Sequence, residues 1–185
     1  YLIEGEGSRN FIHTKRLMKT DAGAWHALLD KLVANLIPFV NAQIEAGAQA
    51  IQFFDSWVGC LSPEDYRTFV LPHSKKLIDG VTKGTPVIHF GTGTGTFLED
   101  IKAAGGSVIG VDWRLPMAEA RKRLGKDVTL MGNLDPVTLF SPIEAIKADA
   151  KRIIDEMKGA PHVFNLGHGI LPGTPVDSVK ALVEF

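Results

Sequence analysis

Cysteine occurs once in the 185 residues, at Cys60, so no disulfide can close within the chain and no thiolate-only metal site can be assembled from it. That composition fits a reducing, cytoplasmic setting. Neither sign of charge is in excess: 20 Lys and Arg face 21 Asp and Glu, for a net charge of −1. The chain therefore has no general attraction to nucleic acid or to an anionic membrane, and neither is an expected partner. Apolar runs are short, none approaching the roughly 20 residues that span a bilayer. The first residues lack the basic, apolar, small-residue order of a secretory leader. An initiator Met is missing too. Tyr1-Leu2-Ile3-Glu4 reads as the end of a strand already under way, and Val183-Glu184-Phe185 falls inside a helical pattern, so a fragment of a longer chain is expected.

What is present is an alternation of short apolar runs with helical segments. Runs at 1–3, 50–54, 86–90, 107–111, 128–131 and 162–164 read as strands, the one at 50–54 as buried on both faces. After a loop through Asn10 and His13, Thr20-Asp21 opens a long helix. Its apolar positions 25, 28, 29, 32, 33, 36, 40 and 44 follow helical spacing, with a bend expected at Pro38 and closure at Gly47. Ser62-Pro63-Glu64-Asp65 supplies a capping hydroxyl, a first-turn proline and an acidic first turn for a helix to Ile78. Further helices are expected at 97–104 and 117–124. Another runs from a Ser141-Pro142-Ile143-Glu144 capping box to Met157, and a last one opens at Thr174-Pro175-Val176-Asp177.

Six strands each followed by a helix predict a parallel sheet covered by helices. The polar and glycine-rich residues stand where strands end, as catalytic groups do in a (β/α)8 TIM barrel. The expectation is an α/β fold, one domain over residues 1–185: a TIM barrel truncated to its last six β/α units, with the first two lying before Tyr1.

His168, between Gly167 and Gly169 on the loop that leaves the last strand, has open backbone on both sides and is the first candidate functional residue. Phe90-Gly91-Thr92-Gly93-Thr94-Gly95 resembles a nucleotide-binding turn, but it lacks the Gly-x-Gly-x-x-Gly spacing and the acidic strand end of the methyltransferase form. His89, His162, His168, Cys60, Asp55, Asp112 and Asp135 include the ligand types for a cation, yet no two share a metal-like spacing, so no metal is expected. The three aspartates equally suit backbone donors in turns. His26 and His73 read as surface or packing residues, and Trp25, Trp57 and Trp113 as core or barrel-rim packing. Met117, Met131 and Met157 read as core, and Arg121-Lys122-Arg123 as a solvated helix face.

Read together, six strand-end motifs resemble the uroporphyrinogen decarboxylase family, in order and at suitable spacing. They are Tyr1-Leu2-Ile3-Glu4-Gly5-Glu6-Gly7-Ser8, Phe54-Asp55-Ser56-Trp57-Val58-Gly59, Leu61-Ser62-Pro63, Gly110-Val111-Asp112-Trp113, Gly132-Asn133-Leu134-Asp135-Pro136 and Asn165-Leu166-Gly167-His168-Gly169-Ile170. Glu6 departs from the family, which usually has glycine there. The resemblance implies a homodimeric barrel without cofactor or metal. It also implies removal of carboxyl groups from the acetate side chains of uroporphyrinogen to give coproporphyrinogen, in haem and tetrapyrrole synthesis.

Residue by residue, the resemblance places the family's substrate-contacting tyrosine on Tyr1, its serine on Ser56 and its histidine on His168, with Tyr1 and His168 as the catalytic candidates. The family's arginine-rich segment and the aspartate that holds the pyrrole N–H groups belong to the first two units, so these 185 residues alone are expected to be inactive. Two other readings compete. One is a zinc-dependent methyltransferase of the same superfamily acting on corrinoid or thiol acceptors, for which the expected His-x-Cys pair and later Cys are missing. The other is a non-catalytic partial barrel.

Overall fold

A chain whose apolar residues come in short β-branched and aromatic runs can satisfy its backbone polar groups there only by pairing strands. In the computed structural model, which describes residues 2–185, five such runs do so. They are β1 (Ile51–Asp55), β2 (Val87–Gly91), β3 (Val108–Gly110), β4 (Thr129–Leu134) and β5 (His162–Leu166). The sheet is parallel throughout, in the order β1-β2-β3-β4-β5. The register runs through Phe53, His89, Ile109, Leu130 and His162, each paired with the next.

That order decides between two architectures. A doubly wound nucleotide-binding sheet reverses direction at a switch point, whereas a barrel wall adds each strand beside the last. These strands follow the barrel order, which removes the nucleotide-binding reading of Gly91–Gly95.

Eight α-helices lie among the described residues: α1 (Ile12–Thr20), α2 (Ala22–Glu45), α3 (Pro63–Phe69), α4 (Leu71–Asp79), α5 (Leu98–Ala104), α6 (Met117–Leu124), α7 (Ile143–Glu156) and α8 (Val176–Val183). Several follow the sequence signals directly. The Asp21 carboxylate caps α2 by accepting the Ala24 N–H at 2.9 Å, and Ser62 Oγ caps α3 by accepting the Asp65 N–H at 3.1 Å. Each such cap stabilises by about 1 kcal/mol.

Four local expectations give way. Leu2–Glu4 form a turn rather than a strand: the Glu4 carboxylate accepts the Thr14 N–H at 2.8 Å, which ties this turn to α1. Tyr1 lies outside the described residues. The stretch expected as a loop through His13 is helical, α1, anchored by Met18 against Trp25 and Phe69. The helix expected from 63 to 78 breaks at Val70, because Pro72 has no N–H to continue the ladder. The Ser141 capping box does not form; Pro142 is the N-cap, and its carbonyl accepts the Ala145 and Ile146 N–H groups.

Strand side chains divide by period two. Ile109, Leu130 and Leu134 point to the helix layer and pack with Leu98 and Ile101 of α5, Met117, Ala120 and Leu124 of α6, and Ile153 of α7, all buried. Each of the larger side chains so buried, Ala120 aside, is worth roughly 1.5–3 kcal/mol. Gln52, Phe54, Phe90, Met131 and Asn165 face the opposite, concave side and line a cavity there. Phe90 lies over Gly110, where an added Cβ would come within 2.8 Å of its ring. Among the described residues no helix is long and apolar enough to cross a membrane.

Candidate functional site

Because all five strands run the same way, the loops after them gather at one end of the sheet. Two cavities open there. One, of about 410 Å³, is lined by Phe11, Ser56, Trp57, Gly59, Cys60, Thr92, Gly93, Trp113, Arg114 and His168. The other, of about 350 Å³, is the concave face itself, with Gln52, Phe54, Ser56, Phe90, Met131, Asn165, Leu166, His168 and Gly169. Ser56, just past β1, and His168, just past β5, line both. Among the described residues neither the Ser56 hydroxyl nor the His168 imidazole has a protein hydrogen-bond partner, so both are free to bind a ligand. The His168 ring makes T-shaped pairs with Phe90 at 6.2 Å and Trp113 at 6.3 Å between centroids.

The loops are held by close backbone approaches. A Cβ on Gly167 would lie 2.5 Å from the Trp113 nitrogen, so only glycine lets the β5 end cross the β3 end and carry His168 past it. Gly169 meets nothing within 4 Å, so its part in the Gly-His-Gly sequence is to leave space. Gly59 is as tightly placed, 2.1 Å from Cβ to the Thr92 carbonyl oxygen.

Asp112, at the end of β3, is the hub. Its side chain is 3% exposed. Oδ2 accepts the Gly93 N–H and an Arg114 Nη1–H, both at 2.6 Å, and Oδ1 accepts the Arg114 backbone N–H at 3.1 Å. The guanidinium of Arg114 lies over the Trp113 ring, 4.0 Å from its centroid. Asn133, on β4, donates to the Asp112 carbonyl at 2.9 Å and to the Leu115 carbonyl at 2.5 Å, fixing the same loop from beneath. One carboxylate and one amide thus hold the Gly93, Trp113 and Arg114 wall of the first cavity.

The other polar candidates are spoken for. His89 is fully buried on the helix side of β2, with Nδ1 3.2 Å from the Ile101 carbonyl and Nε2 2.7 Å from Asp55 Oδ2. A carbonyl only accepts, so Nδ1 donates to it, and a proton lies between Nε2 and Asp55. The Ser74 hydroxyl donates to that same Asp55 oxygen at 3.1 Å. His162 Nε2 bonds the Gly132 carbonyl at 2.7 Å, and Asp135 caps the turn at Pro136–Phe140 through the Val137 N–H. Among the described residues no three His, Cys, Asp or Glu side chains are grouped as a cation needs.

Cys60 lines the first cavity, but burial pushes its thiol up from the usual range, which keeps it protonated and a poor nucleophile. Trp25 is buried, with its indole N–H on the Phe69 carbonyl, while Trp57 is exposed at the cavity mouth. Met117, Met131 and Met157 are buried, though Met131 on the concave side. The basic cluster is more than a solvated face: Arg123 pairs with Glu99 and bonds the Gly95 carbonyl, and Arg121 bonds the Glu156 and Lys158 carbonyls. It ties α6 to its neighbours on both sides. His73 is buried and hydrogen-bonded to His26.

With this arrangement in place, the comparison with known proteins is direct. The model of the uroporphyrinogen decarboxylase family matches residues 1–185. The chain belongs to that family. A uroporphyrinogen decarboxylase of Pelobacter propionicus is 49% identical over 186 residues, which cover 100% of this chain and 55% of that protein. One from Carboxydothermus hydrogenoformans is 52% identical, again over all of this chain and 53% of the relative. The chain thus spans about half the length of the curated relatives it matches. Among solved structures, a methyltransferase from Methanosarcina mazei superposes with a TM-score of 0.80 at 28% identity, over 92% of this chain and 51% of that one.

Of the three contacts that uroporphyrinogen decarboxylases suggest, Ser56 and His168 meet in one site, and Tyr1 lies outside the described residues. The sequence reading missed Phe11, Thr92, Gly93 and Arg114 on the cavity wall. Thr92 and Gly93 were hidden inside the apparent nucleotide-binding turn. Arg114 directly follows the Asp112-Trp113 strand end, and that adjacency was its one signal.

Proposed function

We propose that the protein to which this chain belongs removes the acetate carboxyl groups of uroporphyrinogen, without a cofactor, to give coproporphyrinogen. The observation that carries this reading is the family match over all 185 residues, together with the convergence of Ser56 and His168 on shared cavities. Losing carbon dioxide from an acetate on a pyrrole requires an electron sink, and the protonated ring is one. A carboxylate stabilises the developing cation, while hydrogen-bond donors hold the substrate's carboxylates in place.

In this chain the Ser56 hydroxyl, the His168 imidazole N–H and, by family correspondence, the Tyr1 phenol take the second role. The carboxylate of the first role, and arginines that join in the second, would come from sequence outside these residues. Residues 1–185 then act as one domain, a barrel wall completed by further β/α units, in a cytoplasmic homodimer whose clefts face each other.

The test is a decarboxylation assay on the intact protein. It should form coproporphyrinogen, and His168→Ala should cut turnover by about 10- to 100-fold, the worth of one hydrogen bond to a charged group. Its fold should persist, since His168 is exposed. No product from the wild type, or full activity in His168→Ala, overturns the reading.

The fold likeness to the Methanosarcina methyltransferase supports the second reading, methyl transfer through bound zinc. That chemistry wants thiolate ligands, and the chain offers Cys60 alone, with Gly91 in the position a His-x-Cys pair beginning at His89 would fill. Decarboxylation is the better supported of the two.

A further inference from the structure

We infer that Arg114 is a carboxylate-binding residue of this site, holding one carboxylate side chain of the tetrapyrrole at the mouth of the first cavity. The inference rests on the decarboxylase reading, because it needs a polycarboxylate ligand. Among the described residues Arg114 is the one cationic side chain lining either cavity that holds Ser56 and His168.

Its presentation is what a binding group needs. The side chain is 53% exposed, yet it is fixed at two points: Nη1 on Asp112 Oδ2 at 2.6 Å, and the guanidinium plane over the Trp113 ring at 4.0 Å. Asp112 is itself held by the Gly93 and Arg114 N–H groups. Among the described residues Nε and Nη2 have no protein acceptor, so one edge of the fork stays open. A planar guanidinium fixed at one edge and stacked on an aromatic face offers the other edge bidentately, and carboxylate is the matching partner. Little side-chain entropy is lost on binding, since the stack and the ion pair have already ordered the arginine. Trp113 also touches His168 edge-on, so the arginine and the histidine share a wall of the same cavity.

The carboxylate could belong to an acetate or to a propionate of the macrocycle, and the experiment separates them. In the intact protein, KM and kcat for uroporphyrinogen are measured for wild type, Arg114→Gln and Arg114→Lys. Binding of uroporphyrin, which carries both kinds of side chain, and of coproporphyrin, which keeps only propionates, is measured alongside. Arg114→Gln should raise KM and weaken uroporphyrin binding by about tenfold or more, with a smaller change in kcat. Arg114→Lys should recover part of the loss, since it restores the charge without the fork. Weakening toward both porphyrins assigns a propionate, and weakening toward uroporphyrin alone an acetate. Unchanged KM and porphyrin binding in Arg114→Gln, beside an active wild type, overturns the assignment while leaving the decarboxylase reading intact. A wild type that neither binds nor decarboxylates overturns both.

Discussion

Asp112→Asn is the sharpest perturbation of this site, because it changes one atom and breaks a defined set of bonds. The carboxylate accepts three hydrogen bonds: from Gly93 N–H and Arg114 Nη1 on Oδ2, and from Arg114 N–H on Oδ1. An amide has one acceptor oxygen. In its better orientation that oxygen keeps the pair at Oδ2, and the NH2 then faces the Arg114 N–H, donor against donor. Leaving that backbone donor unpaired costs about 1–3 kcal/mol. The two remaining bonds pass from charge-assisted to neutral and lose about half their strength, roughly 1 kcal/mol each. The guanidinium is half-exposed and recovers some of this from water, so the net is about 2–4 kcal/mol, against a total stability of about 5–15 kcal/mol for a domain.

In urea, with a slope of about 2 kcal/mol per molar, the midpoint of the intact protein should fall by about 1–2 M at unchanged slope. Amide exchange at Gly93 and Arg114 should quicken relative to the strands. Asp135→Asn is the control: asparagine caps as well as aspartate, so the Val137 cap survives and the midpoint should barely move. A midpoint drop for Asp112→Asn no larger than the control's, or unchanged exchange at Gly93, would refute the hub.

Two further predictions concern the frame around the site. Gly59→Ala places a methyl 2.1 Å from the Thr92 carbonyl oxygen and 2.8 Å from Gly93 Cα. Since both obstacles are backbone, stability should fall by about 1–3 kcal/mol in urea unfolding, and KM for uroporphyrinogen should rise as the cavity wall shifts; an unchanged midpoint contradicts the packing argument. Burial holds His73 below the usual imidazole range, opposed by Asp30, so its neutral form belongs to the fold. The unfolded chain takes up that proton first: the stability contribution is present above about pH 6.5 and is lost as pH falls, by at most about 1.4 kcal/mol per pH unit. Urea midpoints between about pH 8 and about pH 5 should therefore decline less steeply in His73→Leu than in wild type, and parallel declines would exclude the histidine as the source.

How far the sequence carried depended on the range of the physics involved. The strands at 51–55 and 87–91 were legible because pairing and burial demand short β-branched and aromatic runs, and the caps at Asp21 and Ser62 because a cap is set within three residues. The helix at 12–20 was not. Its nine residues include His, Thr, Lys and Arg, and only Met18 is buried, so packing against Trp25 and Phe69 stabilises a segment with few apolar residues of its own. The capping box at Ser141 failed for the opposite reason: a local signal was overridden when the helix began one residue later, with the Pro142 carbonyl accepting the Ala145 and Ile146 N–H groups.

In the site the division follows the same line. His168 was legible from its glycine-flanked place at a strand end, whereas Ser56 was found only through likeness to a family. The Gly-His-Gly loop was read as open backbone, which holds for Gly169, whereas Gly167 is glycine because the Trp113 nitrogen passes beneath it. Asp112 was seen as a residue that satisfies turn donors, and it does, but one of those donors belongs to a loop 19 residues away in sequence. Only the strand order brings them together. Once β2 and β3 are neighbours with Phe90 opposite Gly110, extending both strands past that pair carries the Gly93 N–H to the Asp112 carboxylate, and Arg114 follows on the same turn. Repeated β/α units imply a parallel sheet but leave its order open, so it was the consecutive order, with this register between β2 and β3, that separated a decoy glycine turn from a wall of the site.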